Sequence, residues 1–414
     1  MVTLHEVPMR ETSDQMVATE PRVMEPPPAI YLDYQATTPA DPRVVEAMLP
    51  YFTRAFGNPH SRQHAHGWAA EDAVEAARRQ VAALIGAPAR DIIFVSGATE
   101  ANNLAIKGMA RRDPGRNEIV TCATEHKCVL EACRSLEREG FRLTVLPVTE
   151  SGLINLDQLA AALNARTALV SVMAVNNEIG VIQPIAEIAR LVHQHGALFH
   201  TDAAQAAGKI ALDVEAMNID LMSISGHKLY APMGIGALYV RRQPGPRLQP
   251  LFDGGGQERG LRSGTLPLPL CVGLGAACEI AGAEMNEETT RLAVLRDRLL
   301  EVLRARLPDI RVNGDLAQRV AGNLNVAFLG IDAEDLMMEV KEVAVSSGSA
   351  CTSAEIEPSY VLRALGLPDE LARASLRISL GRFTAEDEIE RAAALLADGV
   401  ERLRENGPVP GIGG

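Results

Sequence analysis

Lys228 closes the stretch SISGHK, just past an apolar run and ahead of the glycine-rich YAPMGIGALYV. A lysine amine partly stripped of water has a lowered pKa and can attack an aldehyde to form a Schiff base. A lone lysine at such a place could equally snorkel at a sheet edge. FHTDAAQ sets Asp202 at the end of a second apolar run, and SGATE puts Ala98 and Thr99 where a third run turns into a helix. Taken singly, the aspartate reads as a loop cap and the glycine turn as a common connection. Together at three strand ends they fit pyridoxal 5'-phosphate. The aspartate would keep the pyridine nitrogen protonated, helix-start amides and the Thr99 hydroxyl would hold the phosphate, and the lysine would take the aldehyde. SSGSACTSA, residues 346–354, adds a thiol, Cys351, in a run with too little apolar bulk to bury it.

The elements that must position these residues follow from periodicity. Short apolar or β-branched runs at 91–97, 118–122, 141–148, 167–175, 197–205, 220–228 and 236–240 predict strands. Helical spacing at 64–86, 98–112, 126–139 and 184–196 alternates with them, which predicts a largely parallel, buried sheet. The last two runs are too close for a long crossover, so one antiparallel member is expected. From about residue 290 the texture changes to a helix over 290–307, the strand-like NLNVAFLG and a closing helix capped at Thr384 with Asp387 at its third position. Ligands of open α/β sheets gather outside the carboxyl ends of the strands, where Lys228, Asp202 and SGATE all fall.

Composition bounds the rest. With 414 residues, 47% hydrophobic and 22% charged, the chain suits a two-domain globular protein. A net charge of -13 argues against nucleic acid as a partner, and the absence of 18 uninterrupted apolar residues argues against a membrane. Six cysteines without a CxxC pair fit free thiols in a reducing cytoplasm. Cys122, Cys128, Cys133, Cys271 and Cys278, in apolar or helical contexts, read as inert small hydrophobes. No spacing of histidines and cysteines suggests a metal.

YLDYQATTP, FGNPHS, SGATEANNLAIKG, TEHKCVL, VNNEIG, TDAAQ, SGHKLYAPMGIGALYVR, GGGQERGLRSGT, SSGSACTSA, EPSYVLRALGL and LRISLGRFT follow one another along the chain. In this order they resemble the cysteine desulfurases of the NifS/IscS type, in the class V aminotransferase group of pyridoxal phosphate enzymes. The resemblance implies a fold type I α/β architecture with a mainly parallel seven-stranded large domain at 41–286. A smaller α+β domain, 29–40 with 287–406, would carry a mobile cysteine loop at about 343–356. By composition alone, residues 1–28, ending in the helix-hostile MEPPP, read as a flexible extension, and the breaker-rich 407–414 as a frayed tail.

Carried over by motif, Lys228 would bear the Schiff base, Asp202 the pyridinium nitrogen and Gln205 the ring hydroxyl. His126 would stack on the ring and Asn177 would sit beside the ring hydroxyl and substrate. Ala98, Thr99, Ser225 and His227 would line the phosphate, with Thr265 reaching it from the partner of a homodimer. Arg377 would grip the carboxylate of L-cysteine in a bidentate contact. The implied reaction leaves L-alanine and a persulfide on Cys351, formed when its thiolate attacks the substrate sulfur. The sulfur would pass to an acceptor such as an iron-sulfur scaffold protein. His126 would either protonate the departing group or activate the substrate thiol. A selenocysteine lyase and a plain aminotransferase are the rival activities.

Overall fold

The computed structural model describes residues 29–112, 115–242, 248–347, 357–405 and 407. Cys351 and the predicted extension at 1–28 therefore lie outside the described residues, as does all of the predicted tail except Gly407. Seven strands form the main sheet in the order Ile92–Val95, Gly236–Val240, Leu221–Ser225, Leu198–Asp202, Thr167–Ser171, Glu118–Cys122, Arg142–Leu146. Gly236–Val240 runs antiparallel to both its neighbours, and every other pairing is parallel. The antiparallel member falls where the short connection after Ser225 requires it.

Both sheet faces are covered, which is why most of these strands read as continuous apolar runs. Helices Ala98–Ala110 and Lys127–Glu137 pack on one face around Leu104, Ile106 and Leu136. Helices Ala65–Leu84, Ile185–Gln194 and the start of Leu268–Arg306 pack on the other. Each fully enclosed Leu or Ile contributes about 1.5–3 kcal/mol. Close approach of the first and last of those helices depends on Gly275, where a Cβ would stand 2.6 Å from the Ala77 Cα.

A second, antiparallel sheet centres on Asn323–Ala327 between Ser375–Ser379 and Arg311–Val312. Its core joins the closing helix Glu386–Glu405, the far end of Leu268–Arg306 and the N-terminal residues Ile30 and Leu32. The strand Ile30–Tyr31 pairs in parallel with Val343–Ala344.

Two details differ from the sequence reading. The helix predicted over 290–307 is the second half of one 39-residue helix, Leu268–Arg306, so the expected division at 286/287 falls inside a continuous element. Its alanines, leucines and glutamates carry it through with no proline beyond its first turn. That helix is long and apolar enough to cross a bilayer by length and composition, but many of its apolar residues pack into the two cores. The closing helix begins at Glu386. Thr384 Oγ1 accepts from the Gly381 N–H instead of capping it, and Glu388 reaches back to the Ala385 N–H at 2.8 Å.

Candidate active site

A cavity of about 1130 Å³ opens at the carboxyl ends of the parallel strands. Into it the chain brings Ala98, Thr99, His126, Asn177, Asp202, Gln205, Ser225, His227, Lys228 and Arg377. Thr265 does not line this cavity; it is exposed on the segment leading into Leu268–Arg306. Cys351 lies outside the described residues.

Each side chain on the sheet side comes from a strand end. After Ile92–Val95 the chain turns at Gly97, whose φ of 153° and ψ of -178° suit glycine, and enters the Ala98–Ala110 helix. The first helical bond runs from the Ala101 N–H to the Gly97 carbonyl, so the preceding amides have no intrahelical acceptor and form an anion-binding end. Asp202 ends its strand buried, accepting from the Ala204 N–H at 2.8 Å and from Asn102 Nδ2 at 2.7 Å. Lys228, half-buried in the turn after Leu221–Ser225, donates from Nζ to the carbonyls of Gln35 and Ala36. Gln205 Nε2 donates to the same Gln35 carbonyl at 2.8 Å, while Lys209 Nζ donates to Gln205 Oε1 at 3.0 Å and orients the amide. His227 Nδ1 stands 3.1 Å from Thr37 Oγ1, and burial, helped by the Lys228 charge, pushes its imidazole down to about 4.

His126 caps the Lys127–Glu137 helix, its Nδ1 accepting from the Cys128 N–H at 3.2 Å. Burial lowers its pKa, and the charges of Lys228 and Lys127 act the same way against an opposing pull from Asp202. Beneath it, Glu125 is buried and accepts from the Met173 N–H; burial pushes its carboxyl well above the ordinary range.

The opposite side is assembled from distant segments. Arg377, buried on Ser375–Ser379, donates to Asp33 Oδ1 at 2.7 Å and to the Asn177 carbonyl at 2.9 Å. Ser346 pairs with the Arg377 backbone and donates to Asp33 Oδ2 at 2.9 Å. Ser359 Oγ donates to the buried Glu178 at 2.5 Å and Tyr360 to the Glu125 carbonyl at 2.6 Å. The ends of the segment bearing Cys351 are thus fastened at the cavity. Asn176 clamps its turn by accepting from the Glu178 and Ile179 amides, which sets Asn177 at the rim.

Residues that motif reasoning gave no role include Asp33, Gln35, Asn102 and Glu178. Asp33 and Gln35 sit in YLDYQATTP and Glu178 in VNNEIG, but nothing in their local spacing reveals contacts that span the chain. Cys128 departs from its reading as an inert hydrophobe: half-buried, it lines the cavity with Sγ 3.0 Å from His126 Nδ1. The other described cysteines are buried free thiols, and burial raises Cys122 to about 11 and Cys133 and Cys271 to about 12.

The family model for class-V aminotransferases matches residues 30–392. The chain belongs to the class-V aminotransferase family. Among its curated relatives, the cysteine desulfurase IscS of Rickettsia conorii is 57% identical over 381 residues, 92% of this chain and 93% of the relative. A probable mitochondrial cysteine desulfurase of Dictyostelium discoideum is 55% identical over 92% of this chain and 85% of its own length. In three dimensions the family member superimposes on a NifS-like protein with a TM-score of 0.83 and 34% identity, covering 91% of this chain and 100% of that one. It also matches SspA in complex with cysteine, at TM-score 0.73 and 39% identity over 86% of this chain and 99% of that one. The chain shares the fold type I architecture of these neighbours, built here on a mostly parallel seven-stranded sheet.

Proposed function

We propose that this chain is a pyridoxal 5'-phosphate-dependent cysteine desulfurase, converting L-cysteine to L-alanine and carrying the released sulfur as a persulfide on Cys351. The observation that carries this reading is one cavity holding a strand-end lysine, a buried strand-end aspartate, a helix-start anion site and a buried arginine. The residues present fit the cofactor. The free amides at Ala98 and Thr99 with Ser225 and His227 suit its phosphate, and Asp202 suits a protonated ring nitrogen. Asn177 Oδ1 and Arg377 Nε are buried without a hydrogen-bond partner among the described residues, as expected of groups that await a ligand.

Bound there, the cofactor supplies an electron sink for negative charge at the substrate's α carbon. Lys228 would hold it through Nζ, and the same amine would be the group that moves the substrate's α proton. Gln205, whose amide Lys209 orients, would be the residue beside the ring hydroxyl. Arg377 binds the substrate carboxylate, with Asn177 beside it. The Cys351 thiolate attacks the substrate sulfur: the S–S bond forms, the C–S bond breaks with its electrons going to carbon, and protonation of that carbon gives alanine. The persulfide then passes to a protein acceptor such as an iron-sulfur scaffold. A homodimer would bring the exposed Thr265 to the partner's phosphate site, and the cytoplasm is the compartment we assign.

Incubating the cofactor-loaded protein with L-cysteine and a thiol reductant should release alanine and sulfide in equal amounts. Transfer of the amino group to a 2-oxo acid without sulfide would overturn this reading in favour of an aminotransferase.

A further inference from the structure

Asp202 and His126 are joined by a continuous chain of hydrogen bonds that runs through two residues with no role above. A carboxylate only accepts, so the Asn102 atom 2.7 Å from Asp202 Oδ2 must be the amide nitrogen, which fixes the orientation of that side chain. The same nitrogen lies 3.1 Å from Cys128 Sγ and donates its second hydrogen to the sulfur. Cys128 in turn faces His126 Nδ1 twice, with its backbone N–H at 3.2 Å and its sulfur at 3.0 Å. A ring nitrogen that receives a backbone N–H carries no proton itself, so the imidazole proton is on Nε2. The thiol sulfur accepts from Asn102, and its S–H faces the unprotonated Nδ1, sharing that lone pair with the backbone N–H. Burial keeps that thiol protonated, raising it to about 12.

We propose that Asn102 and Cys128 are positioning residues that hold His126 as a neutral imidazole with its proton on Nε2. The ring then presents a hydrogen-bond donor, not a base, to the group reacting in the cavity, and proton removal falls to Lys228. The inference rests on the reading of this cavity as the desulfurase site. The charged groups facing the ring agree with it. Lys228, Lys127 and the positive helix end all oppose an imidazolium, and Asp202 alone favours one.

The test is the imidazole 15N spectrum of the histidine-labelled holoenzyme, with the His126 signals assigned by their loss in His126→Gln. At neutral pH Nδ1 should be unprotonated and Nε2 protonated. Cys128→Ala removes a donor to the neutral ring and should raise the His126 pKa by roughly half to one unit; Cys128→Ser, which keeps a donor, should restore it. A proton on Nδ1, an imidazolium at neutral pH in the unmodified enzyme, or a Cys128→Ala pKa equal to the unmodified one would overturn the proposal. Sulfide release by the unmodified enzyme reports separately on the desulfurase reading, because the tautomer can be read whether or not sulfur is released.

Discussion

The two sides of the cavity are built by different means. On the sheet side, Thr99, His126, Asp202 and Lys228 each follow a strand of one sheet, so a rigid scaffold sets their separations and short motifs reveal them. On the other side Arg377 meets Asp33 across 344 residues of sequence and Asn177 across 200, while Ser346 meets Asp33 across 313. In the proposed reading the groups that would touch the cofactor come from the sheet, whereas Arg377, which would grip the substrate carboxylate, shares its partner Asp33 with Ser346.

Removing the sheet side's central group should have the largest effect. Lys228→Ala should lower alanine release from L-cysteine by roughly 10²–10⁴-fold or more, read as initial rate with the fold intact by circular dichroism. On the opposite side Arg377→Lys keeps the charge but loses the fork, and kcat/KM for L-cysteine should fall about 10- to 100-fold, chiefly through KM. An equal fall in kcat would mean that the arginine belongs with the chemistry, and the contrast between the two sides would fail.

Glu178 sharpens the comparison through pH. Burial raises its carboxyl from 4.5 to about 7, against the pull of Ser359 and Arg377. A carboxyl raised on folding binds its proton more tightly in the native state. Its stabilising contribution is full below pH 4.5 and is lost as pH rises through about 7, about 3 kcal/mol at most. Glu178→Gln should flatten the stability profile over that window in urea titrations at several pH values. Ser359→Ala should cost least, about 1–2 kcal/mol in the same titrations, because it removes one helix cap and the partner of a buried carboxyl.

Much of the sheet side was legible in the sequence because strand ends carry their chemistry locally: SGATE, TDAAQ and SGHK each name a strand, a turn and a functional group. The antiparallel strand Gly236–Val240 was legible for a similar reason, the shortness of its connection. The long helix was not, because only its second half was read as helical and neither half signals that it passes from one core to the other. Thr384 looked like a cap by residue type, and only the bond from the Gly381 N–H shows its hydroxyl already engaged. Cys128 looked like a hydrophobe because its partner Asn102, itself bonded to Asp202, comes from another element. Asp33 and Glu178 act through contacts with residues far along the chain, Arg377 and Ser359.

The central claim is that sulfur leaves L-cysteine onto Cys351. One turnover of the cofactor-loaded protein, quenched and analysed by peptide mass, should show the mass of one extra sulfur atom on the peptide containing Cys351 and one alanine per site. Undiminished sulfide release by Cys351→Ser, with no sulfur found on Cys351 in the unmodified protein, would contradict the account.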